Sequence, residues 1–556
     1  MGFANRNAFY VSLAVRVAIA LATRTFFQPD EYFQSLEPAH RAVFGYGMLT
    51  WEWISARPIR SIAYPTLWMP VYWTLKVTGL DQGAWLIVAP KMLQAVFAAA
   101  TDYWTYLLAR KVLGPKYAPA ALFLSLISFF NVLALSRTLS NSLETCLTVG
   151  SLYYWPLSSD GNFSSRQSFR ISLFSAVLGC IVRPTNVILW AFMWLDLVRR
   201  RSTAKFAGVV PVLLDTFIAG LLAASALLSI DTIYNGRLTF TPLNFVLTNL
   251  SAVSLFYGRN PWHYYIFQAL PILCTTALPF TLHGSWLTLQ GKANPAAAKL
   301  LSLAVWTTTV YSCAGHKEWR FIHPLLPIFH LLAAKSLVDL HHVRTPPSKS
   351  RDRNRATGLG GFLSIGVREF AIISLSVPAS IYVMLFHGRA QIAVMHHLRT
   401  MPATELHSIG FLMPCHSTPW QAYLHRPEME GRMWALGCEP PLNGQDLATY
   451  EDQTKVFYSA PITYLTDRFP ETIDSTFPTL APPSDIEVAG DWTHSWPSHF
   501  VMFGALLGQT ENGVSVMELL KDRGYVQDWK VGNGWEEDEK RRGGVQIWKW
   551  ASQSQH

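Results

Sequence analysis

The sequence predicts an α-helical polytopic membrane protein with about 11 transmembrane segments and a C-terminal luminal α/β domain. Three observations predict this fold class. Half of the 556 residues are hydrophobic and 15% are charged, with 21 Trp and 21 Tyr residues that are typical of aromatic belts at membrane interfaces. Apolar runs recur up to residue 386. The segment 387–556 has no apolar run of about 20 residues, the length that a span needs, and contains strand-like pieces such as 545–550.

The composition also excludes several function classes. The formal charge of +9 does not indicate nucleic-acid binding, because the basic residues form short clusters between apolar runs, where membrane topology explains them. Six cysteines are too few for a disulfide scaffold, and none has the spacing of a zinc site. The sequence has no internal repeat and no Gly-rich loop of the kind that cradles phosphate. A membrane enzyme, a transporter or a subunit of a membrane complex therefore remains.

Eleven apolar runs are candidate spans. Several are shorter than the roughly 20 residues of a straight span, and the pair interrupted at Arg183-Pro184 is equally compatible with a re-entrant hairpin. The first run is expected to be a retained signal-anchor, because Arg16 inside it argues against a cleaved signal peptide. The runs cover residues 8–24, 84–109, 118–135, 142–157, 171–182, 185–198, 207–230, 263–284, 298–314, 321–338 and 367–386.

The positions of Lys and Arg in the short loops predict the orientation. With the N-terminus in the cytosol, the basic clusters share the cytosolic side: Arg110-Lys111, Arg199-Arg200-Arg201 and the loop 339–366. Alternation of the spans then places the loops 27–83 and 315–327 in the lumen, and the odd number of spans places the C-terminal domain there as well. Of the two N-glycosylation sequons, the one at Asn162 is expected to be silent and the one at Asn249 to be luminal.

The first luminal loop opens with three carboxylates, Asp30, Glu31 and Glu37. Pro29 stops the preceding helix, and a new helix is expected to begin at Asp30. Such a helix puts Asp30, Phe33 and Glu37 on one face. Adjacent carboxylates are costly unless something uses or neutralises them, so this stretch is a candidate functional site.

A second charged stretch lies at the predicted luminal ends of two later runs. It contains five ionisable residues in eight positions: His316, Lys317, Glu318, Arg320 and His323. Ionisable residues at the end of a span are functional candidates by default, whereas an isolated Lys there would be read as snorkelling to the interface. Because this cluster faces the acidic loop on the same side of the membrane, function is the better interpretation. Glu318 is expected to hold a neighbouring cation in place.

Together the two stretches indicate chemistry on a lipid-linked sugar phosphate. The cations suit a phosphate, and an acceptor hydroxyl needs a general base, for which a carboxylate is a natural choice. A phosphodiester leaving group is stable as an anion, so cationic stabilisation of the departing charge suffices.

The stretches Q-P-D-E-Y-F-Q-S-L-E-P-A-H (28–40) and H-K-E-W-R-F-I-H-P-L-L-P (316–327) resemble the two signature motifs of glycosyltransferase family 22. The resemblance implies the GT-C fold, with residues 1–386 as the transmembrane catalytic domain. It also implies an endoplasmic-reticulum mannosyltransferase that uses dolichyl-phosphate-mannose and inverts the sugar linkage.

The resemblance further implies residue roles. Asp30 is the expected base, with Glu31 as an alternative base or as a group that orients the sugar. The donor phosphate is assigned to Lys317, Arg320, His316 and His323, and the supporting residues are Glu37, Glu318, Arg137 and Arg183. No cofactor is required. A divalent metal between the carboxylates and the phosphate is an open alternative, although the cations make it unnecessary.

Two further stretches, 44–53 and 411–419, resemble the branch of the family that adds the third, α1,2-linked mannose to the glycosylphosphatidylinositol (GPI) precursor. This branch implies a GPI-precursor glycolipid as the acceptor, and we expect a monomer. Cys415 and Cys438 could form a disulfide in an oxidising lumen, with two free thiols as the alternative. Cys415 and His416 are interpreted as structural.

Two alternatives stay open. Another enzyme of the family would act on the lipid-linked N-glycan precursor or add the fourth GPI mannose. A lipid or solute transporter also combines many spans with ionisable residues, but transporters tend to show repeats and binding residues near mid-bilayer. Here the charges cluster at span ends on one side.

Overall fold

The computed structural model describes residues 3–157, 165–204, 208–344, 364–442, 444–479 and 492–551. The sequon at Asn162 and most of the predicted basic loop 339–366 lie outside these residues. Up to Thr400 the described chain consists of helices and loops, and from Ile409 onward strands alternate with short helices. The predicted domain boundary at 386 falls between two helices, close to Gly388, which adopts a φ of +77°.

The helices of the first part have these bounds: α1 Phe3–Ala22, α2 Glu37–Phe44, α3 Trp51–Ile54, α4 Met69–Thr78, α5 Trp85–Val112, α6 Ala118–Ile127, α7 Phe129–Ala134, α8 Ser140–Tyr154, α9 Arg166–Val182, α10 Val187–Ala204, α11 Val210–Asn235, α12 Thr241–Leu250, α13 Leu270–Cys274, α14 Leu278–Leu289, α15 Pro295–Ser312, α16 Leu326–Arg344, α17 Val367–Ser374, α18 Ser376–Leu385 and α19 Arg389–Thr400. A 3₁₀ segment, Trp319–Leu325, leads directly into α16.

Each predicted apolar run lies largely within these helices. Among the described residues, four helical segments are long and apolar enough to cross a membrane by length and composition: Val210–Asn235, Tyr265–Leu289, Trp319–Arg344 and Val367–Thr400. The structure thus has the helical, apolar character of a membrane protein. The predicted total of about 11 spans and their orientation remain predictions.

The run 118–135 is not one helix, as the sequence analysis predicts, but two. α6 ends at Ile127, and Ser128 takes an extended conformation. Its Oγ accepts a hydrogen bond from the backbone N–H of Asn131 at 3.4 Å, which begins α7 as an N-cap. A serine in an apolar run therefore acts here as a helix start.

The first loop differs from its prediction in one respect. A helix begins at Asp30 as expected, but Tyr32–Leu36 forms a π-helical turn. A π turn inserts an extra residue and rotates the residues that follow it. Asp30 and Glu37, predicted to share a face, therefore meet different partners: Asp30 contacts Arg320, whereas Glu37 contacts the C-terminal part of the chain.

The C-terminal part contains a five-stranded sheet with the order β2-β1-β3-β7-β6. β1 pairs in parallel with β2 and β3, and β7 pairs antiparallel with β3 and β6. The bounds are β1 Ile409–Leu412, β2 Met433–Ala435, β3 His499–Phe503, β6 Tyr525–Val531 and β7 Val545–Trp550, with a separate hairpin of β4 Thr510–Glu511 and β5 Val514–Ser515. Short helices accompany the sheet: α20 Gln421–Leu424, α21 Gln453–Ser459, α22 Pro461–Asp467, α23 Gly504–Leu507 and α24 Val516–Asp522.

Both faces of the sheet are buried at its central strand, β3. Along β3, Phe500 and Met502 belong to a core with the helices α21, α22 and α24. Val501 and Phe503 point to the opposite face, because side chains alternate along a strand. They join a second core that includes Phe33 and other residues of the first loop. The sheet is therefore packed directly against the loop that carries Asp30.

Candidate active site

A hydrogen-bonded ion-pair chain joins the two charged motifs. Arg320 Nη1 donates a hydrogen bond to Asp30 Oδ2 at 2.6 Å. Arg320 Nε and Nη2 donate to the two carboxylate oxygens of Glu318, at 2.6 and 3.0 Å. His316 Nε2 lies 3.3 Å from Glu318 Oε1. Asp30 is 18% exposed and Arg320 is 8% exposed, so the contact lies at the edge of solvent rather than deep in the core.

The ion pairs favour the charged forms of Glu318 and His316. Burial acts to raise the pKa of Glu318, but Arg320 and His316 lower it by more, so that it lies below the ordinary value of a glutamate. The hydrogen bond with Glu318 raises the pKa of His316. A bidentate Arg–carboxylate pair is also geometrically specific. Glu318 therefore fixes the guanidinium of Arg320, as expected from the sequence, and the guanidinium in turn fixes Asp30.

Lys317 points away from this chain of ion pairs. Its Nζ donates hydrogen bonds to the carbonyl oxygen of Asn260, at 2.8 Å, and to that of Ala314. Asn260 Nδ2 returns a bond to the Lys317 carbonyl at 2.7 Å. Lys317 is 3% exposed. In this structure its charge serves to hold two loops together beside the site, and phosphate binding by Lys317 remains a prediction.

Glu31 and Asp30 are neighbours in sequence but have different surroundings. Arg137 Nη1 donates to Glu31 Oε2 at 3.1 Å, and Thr25 supplies further oxygens that accept from the same guanidinium. Burial raises the pKa of Glu31, against the opposing effect of Arg137. Arg137 thus forms a buried ion pair with Glu31, and its supporting role in the site remains a prediction.

Glu37 fastens the first loop to the C-terminal part. Its carboxylate accepts hydrogen bonds from the backbone N–H groups of Met48, Gln421 and Ala422, at 3.0, 3.1 and 2.7 Å. It is fully buried, and burial raises its pKa to about 7. Glu37 therefore supports the architecture of the loop and does not face Asp30 or Arg320.

Two predicted residues lie behind the ion-pair chain. Arg183 pairs with Glu144 at 3.2 Å, and its guanidinium lies 5.2 Å from the ring centre of Phe321. His323 is fully buried, with Nε2 at 3.2 Å from Asn131 Oδ1. Neither contacts Asp30. Their assigned roles remain predictions, and the contacts of both are those of packing residues.

Three residues that sequence reasoning missed form a second cluster near Asp30. Arg60 Nε and Nη2 donate to Glu52 Oε1 at 2.9 and 2.7 Å, and Gln34 Nε2 donates to Glu52 Oε2 at 3.1 Å. Asp30 and Arg320 are close enough that their charges act on the pKa of Arg60. The sequence does contain a signal for this cluster, because Glu52 and Arg60 are an acid and a base in the same loop. Neither of the two signature motifs includes them.

The C-terminal part contributes His416, which stands between the two cysteines. Cys415 and Cys438 form a disulfide, with Cα atoms 5.8 Å apart. The His416 ring packs against Phe33 at 4.6 Å between ring centres. Within the described ranges, the one group that could hold a metal by its side-chain types is Cys415, His416 and Cys438. Because both sulfurs are bonded to each other, no thiolate is left there to bind a metal.

The sequence as a whole is similar to known proteins. The model of the Alg9-like mannosyltransferase family matches residues 7–425. A protein of Yarrowia lipolytica called GPI mannosyltransferase 3 is 38% identical over 537 residues, which are 96% of this chain and 95% of that protein. A protein of Mus musculus called GPI alpha-1,2-mannosyltransferase 3 is 34% identical over 479 residues, which are 84% of this chain and 80% of the mouse protein.

The fold is similar to a solved structure. The crystal structure of ArnT from Cupriavidus metallidurans bound to undecaprenyl phosphate superposes with a TM-score of 0.55 and covers 98% of both chains. The sequences are 12% identical, so this likeness concerns the fold alone. It extends over the helical part and the C-terminal part together.

Proposed function

This chain belongs to the Alg9-like mannosyltransferase family and is a glycosyltransferase, and we propose that it adds the third mannose, in α1,2 linkage, to a GPI precursor that carries two mannoses. The names of the relatives in Yarrowia lipolytica and Mus musculus support this acceptor and linkage. The similarity runs through both the helical part and the C-terminal part, so it includes every segment of the candidate site.

The donor in this proposal is dolichyl-phosphate-mannose. A membrane enzyme with its charged site at helix ends is suited to a donor whose sugar phosphate stands at the interface while its polyprenyl chain lies in the bilayer. We place the protein in the endoplasmic-reticulum membrane, with a cytosolic N-terminus and the site in the lumen. The orientation rests on the distribution of Lys and Arg.

The observation that carries the proposal is the contact between Asp30 and Arg320. Asp30 Oδ2 is occupied by Arg320, whereas Asp30 Oδ1 accepts no hydrogen bond from any described residue. One oxygen is thus oriented and the other is available to a substrate. A general base needs this combination of fixed position and free lone pair. Glu31 is less accessible to a substrate, because its side chain is 6% exposed against Arg137, compared with 18% for Asp30.

The reaction is a single displacement. The acceptor hydroxyl oxygen forms a bond to the anomeric carbon of mannose as the bond from that carbon to the phosphate oxygen breaks. The electron pair of the broken bond leaves with dolichyl phosphate, and the hydroxyl proton passes to Asp30 Oδ1. When Asp30 is neutralised, Arg320 loses one of its two anionic partners, and its charge becomes available to the departing phosphate. The β-linked donor gives an α-linked product.

The remaining site assignments are part of the same proposal. His316, Lys317, Arg320 and His323 were assigned to the donor phosphate, and the contacts described above favour Arg320 among them because it alone lies against Asp30. The displacement needs no cofactor. Dialysis against a chelator tests whether a divalent metal takes part, and we expect unchanged transfer.

The experiment is a transfer assay with the purified protein. Dolichyl-phosphate-mannose and GDP-mannose serve as alternative donors, and GPI acceptors with one, two or three mannoses are offered in parallel with a lipid-linked N-glycan precursor. We expect transfer only from dolichyl-phosphate-mannose to the two-mannose acceptor, with a product that is cleaved by an α1,2-specific mannosidase. Transfer to the three-mannose or N-glycan acceptor would instead assign the chain to another reaction of its family.

A further inference from the structure

The donor phosphate needs a cation with a nitrogen that has no protein partner, and most cations at the site lack such a nitrogen. Arg320 uses all three of its nitrogens on Glu318 and Asp30. Lys317 donates its hydrogen bonds to backbone carbonyls, and the guanidinium of Arg137 donates to Thr25, Glu31 and Leu133. His316 contacts Glu318 and the carbonyl of Gly258.

Arg60 differs from these cations. Its Nε and Nη2 both donate to Glu52 Oε1, while its Nη1 makes no hydrogen bond to any described residue. Its side chain is 21% exposed, and that of Glu52 is 15% exposed, so both stand at an accessible wall. Burial lowers the pKa of Arg60, but Glu52 and Asp30 raise it by more. The hydrogen bond from Gln34 Nε2 to Glu52 Oε2, at 3.1 Å, joins this ion pair to the turn that follows Asp30.

Hydrogen bonds to neighbouring elements fix the position of Arg60. Glu52, its partner, stands between two anchored tryptophans. Trp53 Nε1 donates to the Phe33 carbonyl at 3.0 Å, within the turn that follows Asp30, and Trp51 Nε1 donates to Tyr257 Oη at 2.8 Å. Glu52 is thereby fixed relative to Asp30, and Arg60 is fixed relative to Glu52.

We infer that Arg60 is a donor-phosphate-binding residue, held by Glu52 so that its free Nη1 reaches the phosphate of the lipid-linked sugar. The inference rests on the proposed function, since it takes dolichyl-phosphate-mannose as the donor. A guanidinium with one edge fixed by a carboxylate and one nitrogen free is preorganised for a phosphate oxygen. Arg60 then binds the phosphate from the first loop, and Arg320 approaches it from the opposite motif as Asp30 is neutralised.

The test compares Arg60→Ala and Arg60→Lys with Arg57→Ala in the full-length protein. Arg57 is an exposed cation three positions away on the same loop and makes no hydrogen bond or ion pair within the described part of the chain, so it is a matched control. For Arg60→Ala we expect the donor KM and the inhibition constant of dolichyl phosphate to rise about 10- to 100-fold, the effect of losing a hydrogen bond to a charged group. The acceptor KM and the melting temperature should match those of Arg57→Ala. Arg60→Lys should recover part of the donor affinity.

Other outcomes separate the two proposals. If the wild-type protein transfers mannose and Arg60→Ala has an unchanged donor KM, the inference about Arg60 is wrong and the proposed function stands. If Arg60→Ala raises both KM values and lowers the melting temperature, Arg60 is structural, and the inference is again wrong. If the wild-type protein neither uses dolichyl-phosphate-mannose nor is stabilised against heat by dolichyl phosphate, the proposed function fails.

Glu52→Gln keeps Arg60 but weakens the ion pair that holds it, and should raise the donor KM less than Arg60→Ala does.

Discussion

At the scale of single residues, we expect the two adjacent carboxylates of the acidic motif to have separate tasks. Asp30 shares one oxygen with Arg320 and leaves the other free, whereas Glu31 is buried against Arg137. The sequence places them side by side and gives no reason to prefer either. The difference arises because the helix that begins at Asp30 directs successive side chains about 100° apart. Asp30 therefore faces the second motif, and Glu31 faces Arg137.

Glu31→Gln tests this division of tasks. The variant leaves the charge of Arg137 without its acidic partner, and we expect the free energy of unfolding to fall by about 1–3 kcal/mol. Transfer should stay within about tenfold of wild type, because loss of a general base costs about 10²- to 10⁴-fold. Thermal unfolding and initial transfer rates measure the two effects. A loss of more than 10²-fold at unchanged melting temperature would move the base from Asp30 to Glu31.

The residues of the candidate site could be predicted from the sequence where they lie in one of the two signature motifs, but not elsewhere. Asp30 and Arg320 stand in matched motifs, so their proximity could be expected. Arg60 and Glu52 lie outside both motifs, and only the fold brings them to the site. The hydrogen-bond partners of Lys317 could not be predicted from the sequence either, because they are backbone carbonyls, which every residue type provides.

At the scale of elements, α1 is fixed to α5 by a fully buried ion pair. Arg16 Nε and Nη2 donate to both carboxylate oxygens of Asp102, at 2.7 and 2.9 Å, and neither side chain is exposed. Ser125 and Asn131 contribute further oxygens to the same network. Arg16, which argued against a cleaved signal peptide, thus serves to hold the first helix against the bundle.

Asp102→Ala should destabilise the protein strongly. Removing one partner leaves Arg16 as a buried charge without compensation, which costs about 3–5 kcal/mol. The double variant Arg16→Met with Asp102→Leu should recover most of this loss, since an apolar pair of similar volume needs no partner. Melting temperatures in detergent compare the two. If Asp102→Ala melts like wild type, the ion pair does not hold α1 in place.

Most elements were predictable, and the exceptions have physical causes. The apolar runs predicted the helices correctly, because an apolar segment of sufficient length is typical of a transmembrane helix. The division of 118–135 at Ser128 and the π turn Tyr32–Leu36 escaped because each depends on a local hydrogen-bonding choice within an otherwise uniform pattern. The piece 545–550 was recognised as strand-like and forms β7, but the order of the sheet depends on contacts far apart in sequence.

At the scale of the whole molecule, the C-terminal sheet and the first loop form one core, with Glu37 as the polar anchor between them. This packing explains why a domain without spans matters to a site on the first loop. It places His416 against Phe33, three residues from Asp30. Disturbing the C-terminal part should therefore affect transfer as well as stability.

Acidification should loosen this core. Burial lowers the pKa of His40 to about 3 and that of His416, His494 and His499 to about 4, from an ordinary value near 6.5. Between pH 6.5 and 4 the unfolded chain thus binds more protons at these four sites than the folded chain, so stability falls as the pH is lowered through this window. Glu37, Glu31 and His316 act in the opposite sense, because their pKa values are raised. The four histidines outnumber these three groups, and the melting temperature should fall from pH 7 to pH 5. An equal or higher melting temperature at pH 5 would contradict the burial of these histidines as neutral rings.

The central claim is that Asp30, oriented by Arg320, takes the proton of the acceptor hydroxyl. The most direct measurement is mannose transfer from dolichyl-phosphate-mannose to a two-mannose GPI acceptor by wild type, by Asp30→Asn and by Asp467→Asn, a matched exchange at an exposed position of the C-terminal part. The account predicts that Asp30→Asn loses at least about 10²-fold in transfer, the contribution of a general base, while Asp467→Asn behaves like wild type and all three proteins melt at similar temperatures. Transfer by Asp30→Asn at the wild-type rate would contradict it.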